Sequence, residues 1–388
     1  MIQLQSRLLS ETWTLGLLIA GTLAVALQAR GVSDPRYNGF CVTNAIIPTN
    51  QIVRGGPPRD GIPAINTPRF ISVPEASFLE DTDRIISFEH KGIVRAYPTR
   101  IMLWHEIVND RFGEDAFVIT YCPLCGTAMV FDAVVSGELT PSTFGVSGLL
   151  YQSDVLMYDR ETESLWSQLA LKSVAGPLVG RTLTWRPSQV LNWGAWKTKY
   201  PAGQVLSTNT GYVRNYDFNP YANYEQSQEI WFGVPIYRTD FANKDWIIGL
   251  LINERPKAYG LPRLPFDRPV IDIFQGTTLQ ITYDVRSQQP TVLNLQSGEA
   301  LPFVMSFWFA WQAFYPDTEV WAPLVLQVDA QRKLTVTGES SKSYLLESSL
   351  DLLHWSSVAT VTTVSNRAEY VDVQPLNRQR FYRARLKP

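Results

Sequence analysis

Two of the three cysteines in this 388-residue chain stand three positions apart, in Tyr121-Cys122-Pro123-Leu124-Cys125-Gly126-Thr127-Ala128. Thiols at that spacing can share one metal ion or close one small disulfide, because a single turn carries both sulfurs to the same side. Cys-Pro-x-Cys-Gly is the shape of one metal-binding knuckle, in which turn amides donate to the thiolates. A closed zinc site takes four ligands, commonly from two knuckles, and the chain has one. The remaining ligands must come from His90, His105, Cys41 or a carboxylate. His105, in Leu103-Trp104-His105-Glu106-Ile107, is the first choice, since imidazole is the commonest metal ligand. Met157 adds a soft thioether. Two thiolates, an imidazole and a thioether favour copper over zinc.

Two other chemistries stay open on the same residues. In a thiol–disulfide oxidoreductase Cys122 would attack and Cys125 would resolve. Such an attacking thiol normally sits at a helix N-terminus, whereas Ala128-Met129-Val130-Phe131 reads as a strand. In a binding scaffold without catalysis, a disulfide would only staple the turn. The wider candidate pocket takes in Arg59, Asp60, Glu106, Tyr121, Asp132, Asp154, Tyr158, Arg160 and Trp166. The expected partner is a metal ion or a small molecule. There is no Gly-rich phosphate loop, HExxH or Gly-x-Ser-x-Gly, so no nucleotide cofactor is indicated. A net charge of −2 argues against nucleic acid.

The elements that must position these residues show an internal repeat. Ile85-Ile86 recurs as Ile247-Ile248, Ala96-Tyr97 as Ala258-Tyr259, and Ile119-Thr120-Tyr121 as Ile281-Thr282-Tyr283, all offset by 162 (281 − 119). Trp193, Trp196 and Tyr200-Pro201 recur as Trp308, Trp311 and Tyr315-Pro316, offset by 115 (308 − 193). The first copy therefore carries about 47 extra residues (162 − 115), between Asp132 and Trp193. They hold two apolar runs, Ser147 to Asp159 and Leu165 to Gln168, around the polar turn Arg160 to Ser164, which reads as a hairpin. The second copy has Asp284 for Cys122, Ser287 for Cys125 and Asp267 for His105. Function is thus expected in copy one, with copy two structural.

The expected fold is mainly β (α+β): an internally duplicated β-rich domain with short helices, plus a small C-terminal β-sandwich. The divisions are an export signal or anchor over 1–29, a Pro/Gly-rich arm over 30–80, the duplicated domain over 81–325, and the sandwich over 328–388. Within the duplicated domain, copy one spans 85–206 with an inserted hairpin at 136–190, and copy two spans 247–320. Thr12 to Ala29 carries no charge and ends near a small-x-small signal, Ala24-Val25-Ala26. Its apolar run is short for a membrane span, so a cleaved signal is favoured and the rest lies outside the cytoplasm. A membrane is a partner only if that segment is retained.

Four stretches together resemble one family. Gly-Gly-Pro-Pro-Arg-Asp-Gly-Ile-Pro-Ala-Ile (55–65), Trp-His-Glu-Ile-Val-Asn-Asp (104–110), Tyr-Cys-Pro-Leu-Cys-Gly-Thr-Ala (121–128) and the Ser-Gly-Leu-Leu-Tyr to Leu-Trp-Ser-Gln segment (147–168) are similar to a bacterial and archaeal domain of unknown function, number 3179. The likeness covers roughly 50–325. It implies an exported domain and treats the four stretches as one site, and it supplies no reaction. The C-terminal module lies outside it.

Overall fold

The computed structural model describes residues 34–374 and 379–387, so the expected export segment lies outside the described residues. The chain is mainly β, with four short α-helices among the described residues. An N-terminal arm supplies strands β1 (Ile52–Arg54) and β2 (Phe70–Ser72). Copy one runs through β3 (Arg84–His90), β4 (Ile93–Pro98), α1 (Thr99–Met102), β5 (Ile107–Phe112), β6 (Asp115–Cys122) and β7 (Thr127–Asp132). The insertion follows as β8 (Phe144–Tyr151), β9 (Asp154–Asp159), β10 (Leu165–Ser167), β11 (Lys172–Ala175) and β12 (Trp185–Arg186). Copy one closes with β13 (Gln189–Asn192), α2 (Trp193–Lys199) and β14 (Gln204–Leu206).

A long connection containing α3 (Ala222–Gln226) leads to copy two. There β15 (Trp246–Ile252), β16 (Arg255–Gly260), β17 (Val270–Phe274), β18 (Thr277–Asp284) and β19 (Gln289–Asn294) follow, then β20 (Val304–Phe307), α4 (Trp308–Phe314) and β21 (Glu319–Val320). The strand orders are β13-β3-β4-β14-β2 and β12-β7-β6-β5 in copy one, against β20-β15-β16-β21 and β17-β18-β19 in copy two. In each copy the last short strand pairs parallel to the second strand, and the other named pairings are antiparallel. That one parallel pairing needs a crossover, and the Trp helix supplies it. Trp193 and Trp196 in one copy, Trp308 and Trp311 in the other, are buried against the sheet. Truncating one of these indoles would cost about 3–5 kcal/mol in lost contacts and cavity.

The copies also share a buried ion arrangement. Tyr97 donates to Asp110 at 2.5 Å and Arg95 pairs with the same carboxylate at 2.8 Å. At the positions 162 residues on, Tyr259 donates to Asp272 at 2.6 Å and Lys257 pairs with it at 2.7 Å. The interface between copies is reciprocal. The Phe307 amide donates to the Cys125 carbonyl, and the Asn192 amide, 115 residues earlier, donates to the Ser287 carbonyl, both at 2.9 Å. Arg84 stacks 4.6 Å over its own counterpart, Trp246. The halves are thus related by an approximate two-fold axis, and each half's turn docks on the other's helix-leading strand.

Two features differ from the reading of the sequence. The insertion builds most of a separate five-stranded sheet, ordered β1-β8-β9-β10-β11 with β1 from the arm, while its β12 joins β7. The run from Ser147 to Asp159, expected as one strand, breaks at Gln152-Ser153, where both residues adopt left-handed backbone (φ 53 and 66). Neither is the glycine or asparagine that marks such a turn, so the pattern concealed it. The Pro/Gly-rich arm, in which no strand was expected, buries Phe40, Ile52, Ala64 and Ile65 and lends strands to two sheets. After copy two, residues 325–386 form two three-stranded antiparallel sheets around Leu334, Val336, Tyr344 and Leu346.

Candidate metal centre

Strand β6 ends at Cys122, which faces Thr127 across the hairpin, and the intervening turn returns the chain through Gly126 with φ +69. A side chain at Gly126 would be strained there and would also overlap the Trp246 indole from copy two. The turn holds its amides toward the first position. Copy two shows this without sulfur: Asp284, in the place of Cys122, accepts from the Arg286 and Ser287 amides at 2.8 and 3.2 Å. Those two bonds hold the Asp284 carboxyl below its ordinary range, Ser287 contributing most, against a smaller opposing push from burial. In copy one the Cys125 amide likewise acts to lower the Cys122 thiol, against the larger upward push of burial. The turn is built to hold an anion.

The third group comes from the insertion. Asp154 opens β9 directly after the Gln152-Ser153 turn, and one of its oxygens and the two Sγ atoms all lie within 4.8 Å of one another, every residue buried. The Ser153 carbonyl accepts from Cys125 Sγ at 3.3 Å and Cys122 Sγ at 3.9 Å. Asp154 Oδ2 accepts from the Leu169 amide at 3.2 Å. Thr127 lies 3.4 Å from Oδ1 but gives its one hydroxyl hydrogen to Gln168 at 2.6 Å, and Gln168 in turn donates to Thr120 at 2.7 Å. The Leu169 amide fixes the carboxylate through Oδ2, and the Thr127–Gln168–Thr120 chain leaves Oδ1 available to a ligand. Ser153 Oγ, buried in the same turn, has no partner among the described residues.

Glu106 is the fourth acid. It is buried with a left-handed backbone (φ 57), a conformation stored where the surroundings over-determine it. Burial, then the nearness of Asp154, pushes Glu106 up to about 8. Burial pushes Asp154 up to about 7 and raises both thiols, Cys125 well above its ordinary value. Among the described residues, no lysine or arginine forms an ion pair with Glu106 or Asp154. Tyr224 donates to the Leu124 carbonyl at 2.9 Å and Tyr315 to the Leu169 carbonyl at 2.5 Å. Tyr121 and Tyr221 stand close enough for the Cys122 charge to act on their hydroxyls, though burial is the larger cause of their raised pKa values.

The structure brings Cys122, Cys125, Asp154, Glu106 and Tyr121 together, packs Met157 and Trp166 into the same core, and leaves the other sequence candidates elsewhere. His105 spends both ring nitrogens away from the sulfurs, Nδ1 against the Pro63 carbonyl and Nε2 against the Tyr216 hydroxyl, each at 2.7 Å. A carbonyl only accepts, so Nδ1 carries the hydrogen and Nε2 accepts from Tyr216. Met157, three residues beyond Asp154 on β9, packs in the same buried core as the two cysteines and pairs within its sheet with Val146 and Trp166. Asp60 binds Arg160 at 2.8 Å and accepts from Tyr158 at 2.5 Å, while Arg59 stacks over Phe40 and Tyr158. That clamp ties the arm to the insertion. Trp166 donates to Asp159 at 2.8 Å, and Asp132 pairs with Arg186 at 2.6 Å. Ser153, Gln168, Tyr224 and Trp246 escaped the sequence reading. Only the equivalence of Trp246 with Arg84 across the repeat offered a signal for any of them.

A family model described as a protein of unknown function, DUF3179, matches residues 59–300. No curated protein and no solved structure matches the chain.

Proposed function

The chain belongs to the DUF3179 family, and from that premise and the geometry of its first copy we propose that it is a metal-binding protein. Cys122, Cys125 and Asp154 hold a thiophilic divalent ion, with Glu106 as a second, neighbouring carboxylate. One observation carries this reading: three ligand atoms converge within 4.8 Å in a fully buried site to which no cation among the described residues is ion-paired. Burying several acids together is costly unless they stay protonated or a cation supplies the missing charge. A metal does so and takes up the thiolates directly. Ser153 Oγ, unpartnered in the same turn, suits a water on the remaining coordination position.

Zinc is favoured over copper. Two sulfurs and one carboxylate with no imidazole, and a fourth position open to water, make a set of zinc type, since His105 spends both ring nitrogens elsewhere. The oxidoreductase reading is the weaker one. An attacking thiol is partly exposed and acidic, whereas Cys122 is 1% exposed and burial raises its pKa. In the extracytoplasmic setting expected from the N-terminal segment, a bound ion also protects the pair from oxidation.

Protein produced with its N-terminal segment and purified without chelator is expected to carry about one ion per chain. Elemental analysis paired with a thiol titration reads the result. Cys122→Ser, Cys125→Ser and Asp154→Ala each remove the ion, while His105→Ala keeps it. A metal-free protein whose thiols are closed in an easily reduced disulfide would overturn the proposal in favour of redox chemistry.

A further inference from the structure

The ion arrangement shared by the copies is capped in one and open in the other. In copy two Lys257, 1% exposed, holds Asp272 and takes a second carboxylate, Glu339 of the C-terminal module, at 2.9 Å. In copy one Arg95 stands at the Lys257 position, Asp110 at the Asp272 position and Gln204 at the Glu319 position (319 − 115). The Arg95 guanidinium lies between the Phe70 and Phe112 rings, 4.2 and 4.3 Å from their centroids. Its Nη1 donates to both Asp110 oxygens and the Arg111 carbonyl, and its Nε to Gln204 at 2.9 Å. Nη2 makes no hydrogen bond to the described residues. Arg95 and Asp110 line a cleft of about 360 Å3 whose wall also carries Arg111, Asn66, Asn109 and Thr143.

We propose that this cleft is a carboxylate-binding site, the open counterpart of the position that Glu339 fills in copy two. The guanidinium is stacked and hydrogen-bonded in place, so little freedom is lost when Nη2 receives an acceptor. Asp110 does not forbid a second carboxylate, because Lys257 takes Glu339 with Asp272 already bound. Arg111, exposed at the cleft and bonded through Nη1 only to the Glu114 carbonyl at 3.4 Å, adds the uncompensated positive charge. The volume lies at the small end of ligand pockets and suits a short acid or one acidic side chain. The site is separate from the cysteine cluster, and its test does not depend on bound metal.

Calorimetric titration of the full-length chain with succinate and with the peptide acetyl-Gly-Glu-Ser-Ser-amide, which copies residues 338–341, tests this. Saturable binding of succinate identifies a free acid as ligand, and binding of the peptide alone identifies an acidic side chain. In either case Arg111→Gln weakens the affinity about tenfold, the worth of one charge-assisted hydrogen bond. Arg95→Gln would strand Asp110 and disturb the fold, so Thr67→Trp, at an exposed cleft residue, serves as the blocking variant and abolishes binding. Absence of saturation with both probes overturns the proposal. So does binding that survives Thr67→Trp, or equal binding of the peptide with glutamine in place of glutamate.

Discussion

The two copies build nearly the same turn, yet only one of them can hold a metal. In copy two, Asp284 uses the turn amides to satisfy its own carboxylate and faces solvent. In copy one a thiol stands at that position, and the insertion lays Asp154 and the Ser153 carbonyl over it. Copy two has no such cover, since its β19 and β20 are joined by only nine residues, 295–303. The turn's backbone is therefore generic, and the chemistry comes from the two cysteines it carries in copy one and from the insertion laid over them. Copy two contributes in turn: Trp246 packs on Gly126 and the Phe307 amide anchors the Cys125 carbonyl. The half expected to be structural also closes the site.

The largest test of that contrast is pH. The ordinary carboxyl values of 3.8 and 4.5 rise in the folded chain to about 7 for Asp154 and about 8 for Glu106. A group whose folded pKa is the higher binds more protons folded than unfolded, so the stability it lends is full at low pH and is lost as pH rises. Metal-free protein should lose stability from about pH 4 to about pH 8, by several kcal/mol in total. Zinc should restore it at the alkaline end, and Asp154→Asn should flatten the slope. Chemical denaturation across pH with and without metal measures all three. An apo protein equally stable at pH 5 and pH 8 would mean the acids are not coupled by burial as described.

Gly126→Ala comes next, at about 2–4 kcal/mol, because left-handed backbone and overlap with Trp246 add. Its counterpart Gln288 has φ 52 and already carries a side chain, so Gln288→Ala should cost little. Comparable melting shifts in the two variants would break the asymmetry between the turns. Glu339→Ala should cost about 1–3 kcal/mol by uncovering buried Lys257, which keeps Asp272. Deleting 328–388 should then lower the stability of copy two while leaving the cysteine cluster intact, and calorimetry with thiol titration separates these effects. The smallest change is Asp284→Ala, expected below about 1 kcal/mol with metal content unchanged. Metal loss in that variant would show that the copies share one site.

By itself the sequence determined the repeat and its offsets, because paired strands hold their register, so that residues 85–121 recur at a single offset and the insertion falls in the connection after Asp132. It determined the knuckle as well, since Cys-Pro-Leu-Cys-Gly encodes its own turn through a fixed φ at Pro123 and left-handed freedom at Gly126. It did not determine which distant group meets the sulfurs. His105 and Asp154 were both near the knuckle along the chain or on the insertion, and only packing sends the first to Pro63 and Tyr216 and the second to the thiols. The two-residue turn that aims Asp154 is made of glutamine and serine, residues that reach left-handed backbone only when surrounding contacts hold them there. Alternation along a strand says which side chains share a face. Which face covers the knuckle is decided by how the insertion sheet and the second copy stack on it, and that is a property of the whole fold.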